Sequence, residues 1–422
     1  MNIEFCKKCT ISNFRPSSCV EFKNDDKKKE YIKFTDNICS ACYVNSHKKN
    51  IDWDERKRKL DELLNSIKSS NEYDIIIPAS GGKDSMYACN VLSKVHKANC
   101  LSVTWAPHIY SLPGFKNLQT MIHNIGIDNI LFTPNGRVHR LLTKLAFKNI
   151  LHPFQPFILG QKNIALKMAL KYNVKTMFYG ENEAEYGNDA DDLKIPFRKL
   201  DYCVVDDDED FNDFIISGEK VKDLIEKYDI TLKDLEPYLP LKRSQLNGKD
   251  VKIYYLGYFY KWDPQNVYYT VARECGFKPN DHRTEGSYCK YSSFDDRIDG
   301  FHYYTTWIKF GLGRASYDSS QEIRNKKISL EEGKMLVKKY DGEFPTRFFV
   351  EILNYLDMDL DEFFESINKF RNPLLWEKLD GNKWKMKYTC YNEEKIDDNY
   401  NKVKKFLESN PKNDYLIKYN PL

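Results

Sequence analysis

No run of about 18 apolar residues occurs in these 422 residues, so no segment is long enough to cross a bilayer as a helix. The stretch from Met1 to Cys6 lacks a basic region followed by an apolar one, so no secretory leader is expected and a soluble, cytoplasmic protein is. An excess of one charge sign is missing too: 65 Lys and Arg against 62 Asp and Glu leave a net charge of +3. Such a balance offers no field for wrapping a long polyanion, and no nucleic-acid partner is expected. Cysteine is too sparse for a disulfide-stapled mini-domain, with an odd count of 11. No G-x-x-x-x-G-K-[ST] motif occurs, which excludes a Walker-type hydrolase of the γ-phosphate.

What remains is enough chain for two or three domains, at roughly 100–200 residues each. Apolar runs at 74–79, 100–105, 129–133, 175–180 and 251–257 alternate with helical stretches. That alternation argues for an α/β fold of βαβ units around a parallel sheet, with ligands at the carboxyl ends of its strands. The expected division is a cysteine module over 1–50, a linker helix over 51–72, a sheet domain over 73–318 and a helical region over 319–422. In the linker, Leu60, Leu63, Leu64 and Ile67 share one helix face. An insertion over 187–248 interrupts the sheet domain, and its acidic run Asp206–Asp210 reads as a solvated loop rather than a cation site. Ser329-Leu-Glu-Glu332 is a capping box opening a helix to Lys339.

The most informative segment is Ser80-Gly-Gly-Lys-Asp-Ser85, between the first strand and a helix. Gly81 and Gly82 let the backbone turn and bring its N–H groups close to an anion. Those N–H groups and the helix N-terminus form a nest for a phosphate. Ser80 and Ser85 add hydroxyl donors, and Lys83 can neutralise charge developing during transfer.

Two C-x-x-C knuckles, Cys6–Cys9 and Cys39–Cys42, lie 29 residues apart. Each offers two thiolates, and together they complete a four-cysteine set suited to structural Zn2+. An iron–sulfur cluster would use the same ligands. Cys19, inside the spacer, reads as a bystander.

Gly180-Glu-Asn-Glu-Ala-Glu-Tyr-Gly187 follows the fourth strand, where Glu181 and Glu185 could hold Mg2+ or act as a base. From Arg283 to Arg314 the chain is dense in polar and aromatic groups: Arg283, Glu285, Lys290, Tyr291 and Arg314 are candidates for binding a substrate. Read as a helix, this segment places Asp295, Asp299 and His302 on one face. The same residues could instead form an ion-pair network with Arg297 and Arg314.

The Ser80–Ser85 loop resembles the PP-loop of ATP pyrophosphatases. The resemblance implies an adenine nucleotide α-hydrolase-like, Rossmann-like domain that binds ATP with Mg2+. In that reading the substrate attacks the α-phosphate, with Lys83 and Asp84 in the machinery and pyrophosphate in the loop. Thr104, Trp105 and Gly180 would lie near the nucleotide.

Most of residues 1–345 further resembles the N-acetyl sugar amidotransferases, the family that includes the pseudaminic acid amidotransferase and its lipopolysaccharide counterparts. The likeness rests on the paired knuckles, the phosphate loop, Val103–His108, Gly180–Gly187, Lys261–Gln265, Phe294–Tyr304, Ile308–Arg314 and Gln321–Arg324. Asn188, Cys19 and the long spacer depart from it. It implies ATP-dependent conversion of an N-acetyl group to an acetamidino group through an O-adenylyl imidate and ammonia. The expected substrate is a bacterial surface sugar such as a pseudaminic or legionaminic acid, or a nucleotide-activated diacetamido sugar, destined for flagellin or lipopolysaccharide.

Position 2 is Asn2, and none of the cysteines beyond the module lies in a nucleophile elbow, Cys275-Gly276 coming nearest. A separate glutaminase with a cyclase-like ammonia-channel protein is therefore the expected partner. The competing reading is a tRNA-modifying sulfur or nitrogen transferase. It would need a basic groove and, for sulfur, catalytic cysteines near the loop.

Overall fold

The computed structural model describes residues 2–16, 31–68, 72–187, 195–198, 200, 203–409 and 417–422. Cys19, Asn188 and part of the expected insertion lie outside the described residues.

Ile75, Ile76 and Ile77 are all fully buried, which a strand achieves only when both faces of its sheet are covered. They open β1 (Ile75–Pro78), in a six-stranded sheet with β2 (Cys100–Trp105), β3 (Asp128–Phe132), β4 (Thr176–Tyr179), β5 (Phe197–Arg198) and β6 (Lys252–Tyr255). The strand order is β3-β2-β1-β4-β6-β5. All pairings are parallel except β5 on β6. The chain winds outward from β1 through β2 to β3, then crosses back to β4 on the other side. The switch point therefore falls at the carboxyl ends of β1 and β4, where such sheets hold ligands.

Every apolar run expected to be a strand is one. β5 comes from inside the expected insertion, so part of that segment closes an edge of the sheet. Within the acidic run, Asp206 accepts from Arg243 Nε at 2.8 Å, Asp207 from the Ser244 amide at 3.0 Å, and Asp210 from the Asn212 amide at 2.9 Å. These carboxylates cap backbone or pair with a cation.

The module's chain turns through a short hairpin into α1 (Ser40–His47) and then α2 (Trp53–Ile67). Asp52 caps α2 by accepting from the amides of Asp54 and Glu55 at 3.1 and 2.9 Å. Leu60 and Leu64 are buried in the core on one face of the sheet, with Ile75 and Ile77. The linker helix is thus packed against the domain it precedes. α3 (Lys83–Cys89) covers the same face, while α4 (Leu112–Thr120) runs beside the phosphate loop. α5 (Gly136–Ile150) and α6 (Gln155–Lys171) cover the other.

Beyond the sheet, α7 (Asp299–Phe310), α8 (Arg314–Arg324) and α9 (Leu330–Tyr340) lead into the C-terminal region. Ser329 and Glu332 form the capping box of α9. Phe301, Trp307 and Ile308 of α7 share a core with Phe349, Phe363 and Trp376. This region is helical but carries a three-stranded antiparallel sheet as well: Trp376–Lys378, Trp384–Met386 and Lys395–Asp397. Against that sheet, Arg371 pairs with Asp397 between the rings of Trp376 and Trp384.

Candidate active site

Ser80–Ser85 leaves β1 and enters α3 as a braced turn. The Gly82 amide donates to Ser80 Oγ and the Ser80 amide to Ser85 Oγ, both at 3.3 Å, while Ser85 Oγ donates to the Gly82 carbonyl at 3.1 Å. Gly81 has φ +85°, and a Cβ there would lie 2.5 Å from the Leu118 Cα of α4. Only glycine satisfies both demands.

The loop opens onto a cavity of about 590 Å³. Its walls come from the loop, from Gly180 and Glu181 after β4, from Tyr291–Asp295, and from His302 and Arg314 on α7 and α8. Gly180 sits between the Trp262 ring and the Asp84 carbonyl, 3.1 and 3.3 Å from where a Cβ would be.

The charged groups by the loop form a small constellation. Lys83 is 7% exposed and donates to Asp84 Oδ2 at 2.6 Å. Asp84 Oδ1 is buried with no hydrogen-bond partner among the described residues. Glu181 accepts from Tyr186 OH at 2.9 Å. Burial, helped by the Asp84 carboxylate and opposed by Lys83, pushes the Glu181 carboxyl up to about 7. Two carboxylates beside a phosphate loop, Asp84 with an unused oxygen, suit Mg2+, which favours one or two carboxylates plus substrate phosphates. Asp84 and Glu181 are the residues that would hold it.

In the cavity wall Asp295 lies close to Ser80 of the loop and to Asp299, and the Asp296 amide donates to Asp299 Oδ2 at 3.3 Å. Burial raises both carboxyls above the usual carboxylate range, Asp299 the more strongly because Asp295 and Asp296 lie beside it. Like charges this close disfavour the ionised form of each other. Asp296 fixes the placement. It accepts from the amides of His108 and Ile109 at 2.6 and 3.2 Å, and from His108 Nδ1 at 2.7 Å. A segment 188 positions away in sequence is thereby bolted to the chain just beyond β2.

Several sequence expectations need correction. Glu185 does not face the cavity but pairs with Lys48 of the cysteine module. Residues 183–186 form a 3₁₀ turn capped by Asn182; at three residues per turn, positions four apart do not share a face. Thr104 and Trp105 lie in the core. Thr104 Oγ1 donates to the Ala79 carbonyl at 2.6 Å, and Trp105 packs on Gly160 and Phe132.

Asp295, Asp299 and His302 do not share a helix face, because α7 starts only at Asp299. His302 and Asp295 line the main cavity, while Asp299 lines a smaller one of about 230 Å³. Arg297 pairs instead with Glu351 at 2.5 Å. Arg283 pairs with Glu343 at 2.5 Å, and Lys290 donates to the Asp281 carbonyl at 2.8 Å. Glu285 accepts from the amides of Thr346 and Arg347 at 2.8 and 3.2 Å. All three bind other parts of the chain rather than the main cavity. Tyr291 does line it, 6.0 Å from Lys83 Nζ. Arg314 also lines it, and its Nε is 2.9 Å from Asp318.

The sequence analysis assigned no role to Arg15, Asp296 or Tyr186, although Asp296 and Tyr186 lie inside the quoted segments Phe294–Tyr304 and Gly180–Gly187.

The Sγ atoms of Cys6, Cys9, Cys39 and Cys42 all lie within 4.8 Å of one another and are buried. Cys9 and Cys39 are 3.6 Å apart, near the edge of about 3.8 Å that tetrahedral Zn–S bonds require. Amides of Lys8 and Cys39 point at Cys6 Sγ, 3.4 and 3.3 Å away. Hydrogen bonds among the thiols lower Cys6 and bring Cys39 to about 7, and they raise Cys9 and Cys42. Four thiols this close need a cation before all can ionise. Half-buried Arg324 lies near the cluster, its guanidinium favoured by the cysteines.

The protein is thus an α/β protein with a mostly parallel central sheet, a four-cysteine cluster at its N-terminal side and a helical C-terminal region. Residues 285–409 match the family described as LPS biosynthesis protein WbpG-like, C-terminal domain. Among curated proteins none matches the chain.

Three solved structures are similar at low identity. The NH3-dependent NAD synthetase from Campylobacter jejuni is 15% identical over 34% of this chain, with a TM-score of 0.27. The chain spans 64% of that synthetase's length. The U34-tRNA thiolase NcsA from Methanococcus maripaludis, solved with its [4Fe-4S] cluster, is 15% identical over 81% of this chain and 90% of its own, with a TM-score of 0.28. The NMN synthetase from Francisella tularensis is 14% identical over 68% of this chain and 94% of its own, with a TM-score of 0.30. These superpositions are loose, and the fold description rests on the strand order instead.

Proposed function

We propose that the protein is an ATP-dependent amidotransferase that converts an N-acetyl group of a bacterial surface sugar into an acetamidino group. One observation carries this reading. The phosphate loop and the segment matching the lipopolysaccharide-biosynthesis family line a single cavity. Nucleotide chemistry and a sugar-pathway domain thus share one reaction space.

In the proposed reaction the acetamido oxygen attacks the α-phosphorus of ATP, and the bond from that phosphorus to the bridging oxygen breaks. Pyrophosphate leaves, the acetamido N–H proton is released to solvent, and an O-adenylyl imidate remains. Ammonia adds to the imidate carbon and loses a proton; the C–O bond then breaks and AMP departs with the former acetamido oxygen. Lys83 and the loop amides stabilise charge on the transferring phosphoryl. Bound Mg2+ would neutralise phosphate charge, with Asp84 and Glu181 as its protein ligands. Asp295, in the wall of the same cavity, is placed to take the proton from ammonia. A separate glutaminase and an ammonia-channel protein supply the ammonia. The cysteine set takes Zn2+ as a closed structural site, a choice supported by sulfur spacings short enough for one tetrahedral ion.

The test incubates the protein with ATP and ammonium plus a CMP- or UDP-linked diacetamido sugar, or with tRNA. The expected result is AMP release with the sugar and a product lighter by the difference between an oxygen and an NH group. AMP release with tRNA alone would overturn the reading in favour of an RNA-modifying enzyme.

A further inference from the structure

Most cations of known partnership in the main cavity wall already have a carboxylate. Lys83 has Asp84 at 2.6 Å, Arg314 has Asp318 at 2.9 Å, and Lys327 has Asp263 at 3.3 Å. Arg15 is different. It lines the same cavity and is only 5% exposed, yet no carboxylate lies within ion-pairing distance of it among the described residues. Its Nε is buried without a hydrogen-bond partner. A guanidinium cannot shed its charge at neutral pH, and burying one without a counter-ion is costly.

The side chain is nevertheless held in place. Its guanidinium stacks 4.7 Å from the Tyr317 ring of α8. The backbone is pinned on both sides, the Arg15 amide to the Ser12 carbonyl at 3.2 Å and the Ile32 amide to the Arg15 carbonyl at 3.0 Å. Phe14 beside it stacks on Tyr31 at 5.2 Å and meets Phe310 of α7 at 6.2 Å. The wall from the phosphate loop to this point runs through Tyr291, Ser293, Arg314 and Tyr303, linked in turn to Tyr317. A continuous chain of contacts along the wall thus joins the loop to the ring on which Arg15 rests.

We propose that Arg15, presented by the cysteine module, is the recognition group for an anionic substituent of the acceptor substrate, a sugar carboxylate or a phosphate ester. The inference rests on the reading that the cavity holds an acceptor beside the nucleotide, and it specifies that acceptor's charge. A planar guanidinium offers paired donors that match the two oxygens of either group. The bound anion supplies a counter-charge that no carboxylate among the described residues provides. The cysteine module then contributes to the site directly, through a residue six positions past its second cysteine.

The experiment uses the full-length, metal-loaded protein saturated with α,β-methylene-ATP. Calorimetry compares N-acetylneuraminate with its methyl ester, and UDP-N-acetylglucosamine with N-acetylglucosamine. The wild type should prefer at least one anionic probe over its neutral counterpart by about tenfold or more, and the pair showing the preference names the source of the charge. Arg15→Ala should erase that preference while nucleotide affinity holds. If Arg15→Ala loses its metal, Arg15→Gln decides instead, because it keeps the packing on Tyr317 without the charge. A preference surviving in the variant, or absent from the wild type, overturns the proposal. So does a variant whose loss falls on α,β-methylene-ATP instead. Failure of the wild type to bind α,β-methylene-ATP at all would overturn the nucleotide reading, and this proposal with it.

Discussion

Ser40, directly after the second cysteine knuckle begins, donates its hydroxyl to the Gly187 carbonyl at 2.6 Å. Two residues earlier on the same loop, Glu185 pairs with Lys48 just past α1, and its carbonyl accepts from Arg324 at 3.3 Å. The loop that carries Glu181 into the cavity is thus clamped at its far end by the cysteine module.

Stripping the metal should loosen that clamp. Chelation, or Cys42→Ser, is expected to speed hydrogen exchange at the amides of residues 184–187, while β1 amides stay protected. Exchange read by mass spectrometry checks this, and unchanged rates at 184–187 would uncouple the module from the loop.

Lys83→Ala should lower AMP formation about 10²–10³-fold, the usual cost of one electrostatic group aimed at developing charge. Metal content should stay at the wild-type level, since Lys83 has no contact with the cysteines. Elemental analysis beside the AMP assay separates the two effects.

Gly81→Ala should disable the loop, because φ +85° and a Cβ 2.5 Å from the Leu118 backbone cannot both be relieved. The backbone strain alone is about 1–3 kcal/mol. Nucleotide binding should fall further than the melting temperature suggests, as the loop is the part that must deform.

Glu181 sets a pH dependence. Its folded carboxyl titrates at about 7, above an unfolded value near 4.3, so the folded state binds the proton more tightly. Its contribution to stability is present in full below pH of about 4 and is lost as pH rises through 7. Glu181→Gln should flatten this slope and make the protein relatively more stable at pH 8.

In the C-terminal region, Arg371 and Asp397 are each about 2% exposed and paired between two tryptophans. Arg371→Ala leaves a buried carboxylate without its cation, with the Asn399 amide at 3.0 Å still donating to it, and should cost about 3 kcal/mol. Urea unfolding measures this directly.

Some of this was legible in the sequence because the signal was local. The apolar runs named all five parallel strands, since a strand buried on both faces must be apolar at consecutive positions. The Ser80–Ser85 hexapeptide carried its own turn and its own donors. The knuckles carried their spacing. Glu181 and Glu185 were not separable in this way: one residue decides whether four positions are a full helical turn or a 3₁₀ turn pointing elsewhere. Asp295 and Asp299 parted for a similar reason, because α7 begins at the second of them.

The sequence alone determined the kind of sheet, the phosphate-binding turn and the four-cysteine set, each of which needs only neighbouring residues of the right chemistry. Tertiary structure alone decided which carboxylates face the cavity. It also decided that Asp296 bolts a distant segment to His108, and that Arg15 stands in the wall without a counter-ion among the described residues. The reason is physical: a charge acquires its role from what is packed within a few ångströms of it, and here those neighbours lie far away along the chain.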